Sequence, residues 1–260
     1  MILKAKKSLG QNFLIDRNIL ELITNCTEIN NKSILEVGPG TGNLTQEIIK
    51  KNPKEIFLVE KDTNLLNSLK DKFKDKAIYY NEDILNFSEE KLSKNKITVF
   101  GNLPYNISTE ILTKWIININ TEFWFDKLIL MFQKEVADRI ISENDRSNYG
   151  RLSIISNWKL KIEKITDIKP NSFKPKPKVD SSLLIFTPKE KFIKIDNPKN
   201  LEKVTRVFFN QRRKKIKKPL SQLFKNYEKI AKKLNLNLDL RPQNLTFDTY
   251  YLLTKELENL

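Results

Sequence analysis

The 260-residue chain carries 47 Lys and Arg against 32 Asp and Glu, a formal charge of +15, with 39% hydrophobic and 10% aromatic residues. That is enough apolar material for a real core in one large or two modest domains, which excludes a disordered chain, and the excess of cations points to a polyanionic partner, nucleic acid or an anionic membrane surface. One cysteine and no histidine exclude a disulfide framework, a Cys/His zinc site, an iron–sulfur cluster and any Ser-His or Cys-His nucleophilic pair.

The first stretch, Lys4 to Leu14, is basic and polar and is expected to dock on the body of the protein. No apolar run follows the lysines of Met1 to Ser8, and no stretch of about 18 apolar residues occurs, so a soluble, cytoplasmic protein without a membrane span is expected. Asp16 caps a helix whose apolar face is Ile19, Leu20, Leu22 and Ile23, and Cys26 continues the pattern as a buried, structural thiol. Ser33 to Val37 is an apolar strand that runs into Gly38-Pro39-Gly40-Thr41-Gly42, after which Leu44, Ile48 and Ile49 set a helix. Strand, glycine turn and helix form the logic of nucleotide-binding folds: glycines reach positive φ, and free amides at the helix start face the ligand. The spacing is tighter than G-x-G-x-x-G and lacks the Lys-Ser/Thr ending of a P-loop, so pyrophosphate is not the default ligand.

The next strand, Glu55 to Val59, ends at Glu60, placed to accept both hydroxyls of a ribose. A third, Ala77 to Tyr80, leads to Asp83 and Ile84, which suit an adenine amino group and the face of its ring. A fourth, Ile97 to Phe100, delivers Gly101-Asn102-Leu103-Pro104-Tyr105 to the same carboxyl edge of the sheet. Asn102 offers an amide oxygen, Pro104 fixes the turn and Tyr105 supplies an aromatic face, parts for holding a flat, amine-bearing ring. Taken alone, these five residues read first as an ordinary turn whose Asn bonds its own backbone and whose Tyr is core.

A helix from Ile107 to Ile117, a strand from Leu128 to Phe132, a helix from Lys134 to Ile141 and a looser segment from Asn144 to Tyr149 come next. Phe173-Lys174-Pro175-Lys176-Pro177-Lys178-Val179 is a basic, proline-stiffened loop that precedes a strand from Ser181 to Phe186. The alternation predicts an α/β, doubly wound sheet over residues 1–188. Lys189 to Pro198 reads as a linker, and 189–260 as a small helical domain with Leu201, Val204, Val207 and Phe208 on one face, then Leu220, Leu223 and Phe224, then Tyr250 to Leu257. Between Lys203 and Lys218 stand eight basic residues and no acid, including Arg212-Arg213-Lys214-Lys215, a pattern that favours phosphate contact over mere solubility.

Five stretches together carry a resemblance: Ser8-Leu9-Gly10-Gln11-Asn12-Phe13-Leu14, Glu36-Val37-Gly38-Pro39-Gly40-Thr41-Gly42, Asn102-Leu103-Pro104-Tyr105-Asn106-Ile107-Ser108, Phe173 to Ser181, and Phe209-Asn210-Gln211-Arg212-Arg213-Lys214. The chain resembles, nearly end to end, the KsgA-type small-subunit ribosomal RNA adenine dimethyltransferases. The glycine loop is common to many methyltransferases; the first, third and fourth stretches together are specific. The resemblance implies a Rossmann-like sheet with helices on both faces plus a small C-terminal all-helical domain. It implies S-adenosyl-L-methionine as cofactor and the immature small ribosomal subunit as partner; no metal site is expected, and a monomer is expected because the pattern shows no large exposed apolar surface. The reaction implied is methyl transfer to N6 of two adjacent adenosines in a loop near the 3′ end of small-subunit RNA, giving N6,N6-dimethyladenosine.

The resemblance also implies site residues. Cofactor contacts fall to Asn12, Leu14, Gly38, Gly40, Glu60, Asp83, Ile84 and Asn102, with Asn12 and Leu14 resting on the resemblance alone. Tyr105 and Phe173 would stack on the target adenine, Asn102 and the Leu103 carbonyl would accept its N6 hydrogens, and Pro104 would hold the turn. Lys174, Lys176, Lys178, Arg212, Arg213, Lys214 and Lys215 would meet RNA phosphates. The related Erm enzymes methylate large-subunit RNA and share fold and clamp, but the Leu of Asn-Leu-Pro-Tyr, the Lys-Val-Asp-Ser ending and Gln-Arg-Arg-Lys favour the small-subunit group. A ribosome-assembly factor acting mainly by binding is a second alternative, against which the intact set of Gly38, Glu60, Asp83 and Asn102 argues.

Overall fold

The computed structural model describes residues 6, 10–92, 95–119 and 122–259; Lys4, Lys7, Ser8 and Leu9 of the leader lie outside the described residues. The leader docks through β1 (Phe13–Leu14), and helix α1 (Arg17–Asn25) follows, capped by Asp16, whose Oδ1 accepts from the amides of Asn18 and Ile19. Leu20, Ile23 and Thr24 are the buried residues of α1, while Leu22, expected inside, is 37% exposed. The i, i+3, i+4 stripe is narrower than the apolar letters suggest. Cys26 is only partly buried, and its Sγ donates to the Leu22 carbonyl.

The apolar runs become strands. β2 (Ser33–Val37), β3 (Glu55–Val59), β4 (Ile78–Tyr80), β5 (Ile97–Asn102) and β6 (Phe125–Gln133) pair in parallel in the order β4-β3-β2-β5-β6. β2 is buried at every position, as a parallel strand covered on both faces must be. Helices α2 (Asn43–Ile49), α3 (Thr63–Phe73), α4 (Ser108–Asn118) and α5 (Lys134–Ile140) follow β2, β3, β5 and β6. β7 (Leu160–Ile168), β8 (Phe173–Lys174) and β9 (Ser181–Pro188) complete the described strands: β9 lies antiparallel to β6 with β7 beyond it, and β8 pairs with β1. This is a mixed, Rossmann-like sheet with helices on both sides. Leu14, Leu20, Ile23, Ile34, Ile48, Leu58, Phe100 and Met131 share one apolar cluster, so the leader is part of the core.

The described residues fall into two compact units, one from Met1–Leu112, Asn120–Ala137 and Ile162–Pro188, the other from Thr113–Ile119, Asp138–Lys161 and Lys189–Leu260. The second contains α6 (Arg151–Lys159), α7 (Pro198–Phe209), α8 (Lys217–Leu223), α9 (Tyr227–Lys233) and α10 (Phe247–Glu258). α7 buries Leu201, Val204, Thr205 and Phe208, and Tyr251 of α10 donates its hydroxyl to the Ile154 carbonyl of α6 at 2.8 Å. α6 and β7 have no clear sequence signal. α6 is buried at Ser153, Ile154, Ile155, Ser156, Trp158 and Lys159, which leaves no amphipathic period to read, and β7 interleaves charges with its apolar residues.

Lys159 is a buried cation without an ion pair among the described residues. Its Nζ donates to the carbonyls of Ile116 and Ile119 at the end of α4 and lies 3.9 Å from the centre of the Trp158 ring, and burial pushes its pKa down to about 8. It closes the last turn of α4, where carbonyls lack helical partners. Among the described residues, no helix is long and apolar enough to cross a membrane.

Candidate active site

Immediately after β2, Gly38, Gly40 and Gly42 take φ of +65°, +57° and +77°. At Gly40 a Cβ would lie 2.7 Å from Phe13 Cδ1, so glycine is what lets the leader close on the loop. Asn43, the first residue of α2, reinforces that closure by donating its side-chain amide to the Leu14 carbonyl at 2.7 Å.

Glu60 leaves the end of β3 with only 7% of its surface exposed. Its Oε2 accepts from the Gly40 amide at 3.2 Å and its Oε1 from the Asp62 amide at 2.9 Å. Burial outweighs these bonds and holds its pKa above the usual carboxylate range. Two acceptor positions remain on the carboxylate after both backbone bonds are made. Asp62 itself caps α3; burial opposes its charge, but Lys6 Nζ at 2.8 Å and Gln11 Nε2 at 3.4 Å prevail and lower its pKa. The leader is thus tied to the residue that orients Glu60. Past β4, Asp83 accepts from the Leu85 amide at 3.0 Å and pairs with the exposed Lys61 at 2.7 Å, and Ile84 is buried beside it.

β5 runs two residues beyond the expected Phe100 and ends on Asn102. The Asn102 Nδ2 donates to the Asn12 carbonyl at 2.7 Å. Because that carbonyl can only accept, the bond fixes which end of the amide is nitrogen and leaves Oδ1 as an acceptor. Leu103 is buried, and the turn closes with the Ile107 amide on the Pro104 carbonyl at 3.1 Å. Tyr105 is partly buried, its hydroxyl 2.5 Å from Ser181 Oγ, and burial raises the phenol's pKa, keeping it neutral.

Asn12, Leu14, Gly38, Gly40, Glu60, Asp83, Ile84 and Asn102 line one cavity of about 310 Å³, together with Leu103, Pro104 and Tyr105. That volume lies at the lower end of small-molecule sites, roughly 300 to 1,000 Å³. Three further lining residues, Phe13, Glu36 and Asn43, were not singled out from the sequence. Glu36 is 2% exposed and accepts from Thr45 Oγ1 at 2.6 Å; burial first, then the neighbouring Glu60 charge, push its pKa up to about 7. An acid inside an otherwise apolar strand was the available signal.

Phe173 stands elsewhere. It is 1% exposed and packs in the apolar cluster with Leu14, Leu20 and Ile23, because β8 places it opposite Leu14 in register, and it does not line the cavity. Of the expected pair of aromatics, Tyr105 lines the cavity and Phe173 does not. Lys174, Lys176 and Lys178 are exposed, as phosphate contact requires. The Arg212–Lys215 run divides. α7 ends at Phe209, so these cations lie in the turn before α8 and not on one helix. Arg212 is partly buried, donating from its guanidinium to the Ser147 carbonyl and to Gln243 Oε1, so part of its donor set braces its own unit. Lys215 pairs with exposed Asp239 at 2.7 Å, a contact that phosphate could displace. Arg213 and Lys214 are exposed and form no ion pair among the described residues.

A sequence model described as ribosomal RNA adenine dimethylase matches residues 2–259. The chain belongs to this family. Ribosomal RNA small subunit methyltransferase A of Pelagibacter ubique (strain HTCC1062) is 62% identical over 260 residues, covering 100% of this chain and 99% of that protein. The protein of the same name from Ehrlichia ruminantium (strain Gardel) is 39% identical over 255 residues, covering 96% and 95%. Among solved structures, a dimethyladenosine transferase from Plasmodium falciparum gives a TM-score of 0.77 at 24% identity, covering 95% of this chain and 98% of that one. The 23S rRNA methyltransferase ErmE gives 0.70 at 21% identity, covering 95% and 100%. The two structures show the fold; the names of the sequence relatives specify the small subunit.

The cavity of this dimethylase fits an adenosine-bearing, cationic ligand. Gly38 and Gly40 line it with backbone, Glu60 and Asp83 follow the ends of adjacent strands, and buried Glu36 adds a third acidic side chain.

Proposed function

We propose that the chain uses S-adenosyl-L-methionine to methylate N6 of two adjacent adenosines in a loop near the 3′ end of small-subunit ribosomal RNA, leaving N6,N6-dimethyladenosine. The enzyme acts as a monomer, in the cytoplasm, on the immature small subunit. The observation that carries this reading is the Asn102 amide, held by the Asn12 carbonyl at the cavity that also contains Glu60 and Asp83.

Bound S-adenosylmethionine supplies an electrophilic methyl group on a sulfonium. Glu60 takes the ribose hydroxyls, Asp83 the adenine amine, Ile84 packs on the ring, and Gly38 and Gly40 offer close backbone approach. Asn12 and Leu14 close the site from the leader. On the substrate side, Asn102 Oδ1 and the Leu103 carbonyl accept the two N6 hydrogens of the target adenine. An exocyclic amine is a poor nucleophile because its lone pair is delocalised into the ring. Two fixed acceptors favour the pyramidal nitrogen and stabilise the positive charge that develops on it. The proton then passes to water, so the absence of histidine is no obstacle. The remaining work is positioning.

The target base must leave its stack to reach the cavity, which favours a loop over a duplex. Tyr105 stacks on it, a contact worth about 1 to 3 kcal/mol that offsets extrusion. Residues 1–188 carry this chemistry and residues 189–260 hold RNA. Lys174, Lys176 and Lys178 meet phosphates near the cavity, and Arg213 and Lys214 meet them in the second unit. The double substitution Arg213→Glu with Lys214→Glu is expected to weaken RNA binding and to flatten the slope of log K against log salt by about 1.4 to 1.8, with cofactor affinity unchanged. A slope equal to that of the parent would identify these two cations as a solvated face.

The reading itself is tested by offering immature small subunits and large-subunit RNA together with labelled cofactor. Label on the small-subunit RNA is the expected result; label on the large-subunit RNA would overturn it.

A further inference from the structure

Tyr105 is held to the chain by a short turn, but its ring still has two torsions of its own. The structure shows what holds the ring's far end: its hydroxyl meets Ser181 Oγ at 2.5 Å. Ser181 is 0% exposed and is the first residue of β9, opposite Gln133 of β6 in the register of the sheet.

The neighbours of Ser181 are anchored with it. The Asp180 carbonyl accepts from the Lys134 amide at 2.9 Å, and the Asp180 carboxylate takes Lys169 Nζ at 2.6 Å. Ser182 Oγ donates to Asp167 Oδ1 at 2.6 Å, and Asp167 is held in turn by Lys134 at 2.8 Å and Lys164 at 2.7 Å. The hydroxyl that meets the phenol is thus fixed by backbone pairing on one side and by charged bonds on both flanking residues. A phenol tethered at such a point cannot swing without breaking a partly buried hydrogen bond.

We propose that Ser181 is a positioning residue for methyl transfer: its hydroxyl fixes the plane of the Tyr105 ring against which the target base stacks. The proposal rests on the reading that Tyr105 is the stacking face. Stacking depends on offset and tilt as well as contact, so a ring free to rock holds the extruded base in fewer reactive orientations. Serine suits the place because its hydroxyl can donate to or accept from the phenol. The same serine ends the lysine loop, so the segment that meets phosphates is continuous with the atom that sets the ring.

The test uses the full-length chain on immature small subunits with the variants Ser181→Ala, Tyr105→Phe, their combination, and Tyr105→Ala. Each of the first two removes one side of a single hydrogen bond and is expected to lower kcat by about three- to tenfold. Cofactor KM is expected to stay within about twofold of the parent, which separates ring positioning from general damage to the fold. Combining them should cost no more than either alone, because the bond can be lost only once. Ser181→Cys keeps a small, weakly hydrogen-bonding side chain and should recover part of the loss, so a lowered melting temperature in Ser181→Ala does not blur the result. Additive losses, or parental kcat in Ser181→Ala while Tyr105→Ala is inactive, would overturn the positioning role and leave the stacking reading intact. Parental kcat in Tyr105→Ala would overturn the stacking reading and the proposal with it.

Discussion

Replacing Asn102 with alanine is expected to lower kcat for methyl transfer by about 10²- to 10³-fold, the usual loss when one preorganised group facing developing charge is removed. RNA affinity should stay within about twofold, because phosphate contacts supply most of it and Asn102 makes none in this reading. The size of the effect follows from two losses at one residue. Alanine deletes the Oδ1 acceptor for the N6 amine, and it deletes the Nδ2 bond to the Asn12 carbonyl that joins the catalytic strand to the leader. Asn102→Asp separates them: it retains acceptors but sets an oxygen against the Asn12 carbonyl, so it should retain cofactor binding poorly and still fall well below the parent in kcat. An Asn102→Ala protein that no longer binds RNA would make the loop architectural.

The second large effect belongs to Glu60. Glu60→Ala is expected to raise the dissociation constant of S-adenosylmethionine about 100-fold, read by titration calorimetry, since charge-assisted hydrogen bonds contribute about 1.5 to 3 kcal/mol each and the backbone partners are stranded as well. Those partners are the amides of Gly40 and Asp62, one in the glycine loop and one at the head of α3, so the carboxylate organises the rim in addition to meeting ribose. Glu60→Gln should fall between, because its amide end can satisfy one of the two backbone donors and must oppose the other. With cofactor saturating, kcat should return close to the parental value. Unchanged affinity in Glu60→Ala would remove this carboxylate from the ribose site.

Much of the fold and the cofactor side of the site was legible because their signals are local. β2 and β3 have the bounds expected of them, since glycines, an asparagine or an acid punctuate each apolar run. Gly38, Glu60, Asp83 and Asn102 each stand at or just past the end of a strand, so parallel pairing of those strands alone brings them to one edge. What was not legible depends on partners far away in the chain. Phe173 reads as a base-stacking aromatic until β8 is paired with β1, which turns it into the core beside Leu14. Arg212 looks like the other cations of its run, and only the distant Ser147 carbonyl and Gln243 make it a brace. α6 hides for the opposite reason to most helices: buried on most sides, it offers no polar face. Lys159 gives no warning in the sequence that it will close α4 from within the protein.

The central claim is that the cavity, the Asn102 acceptor and Tyr105 serve dimethylation of adenine N6 in small-subunit RNA. The most direct measurement is to incubate the enzyme with immature small subunits and labelled S-adenosylmethionine, digest the RNA, and map the labelled nucleosides by mass spectrometry. Two adjacent N6,N6-dimethyladenosines in a loop near the 3′ end are expected. Labelled cytosine, label confined to a duplex, or unmethylated small-subunit RNA would contradict it.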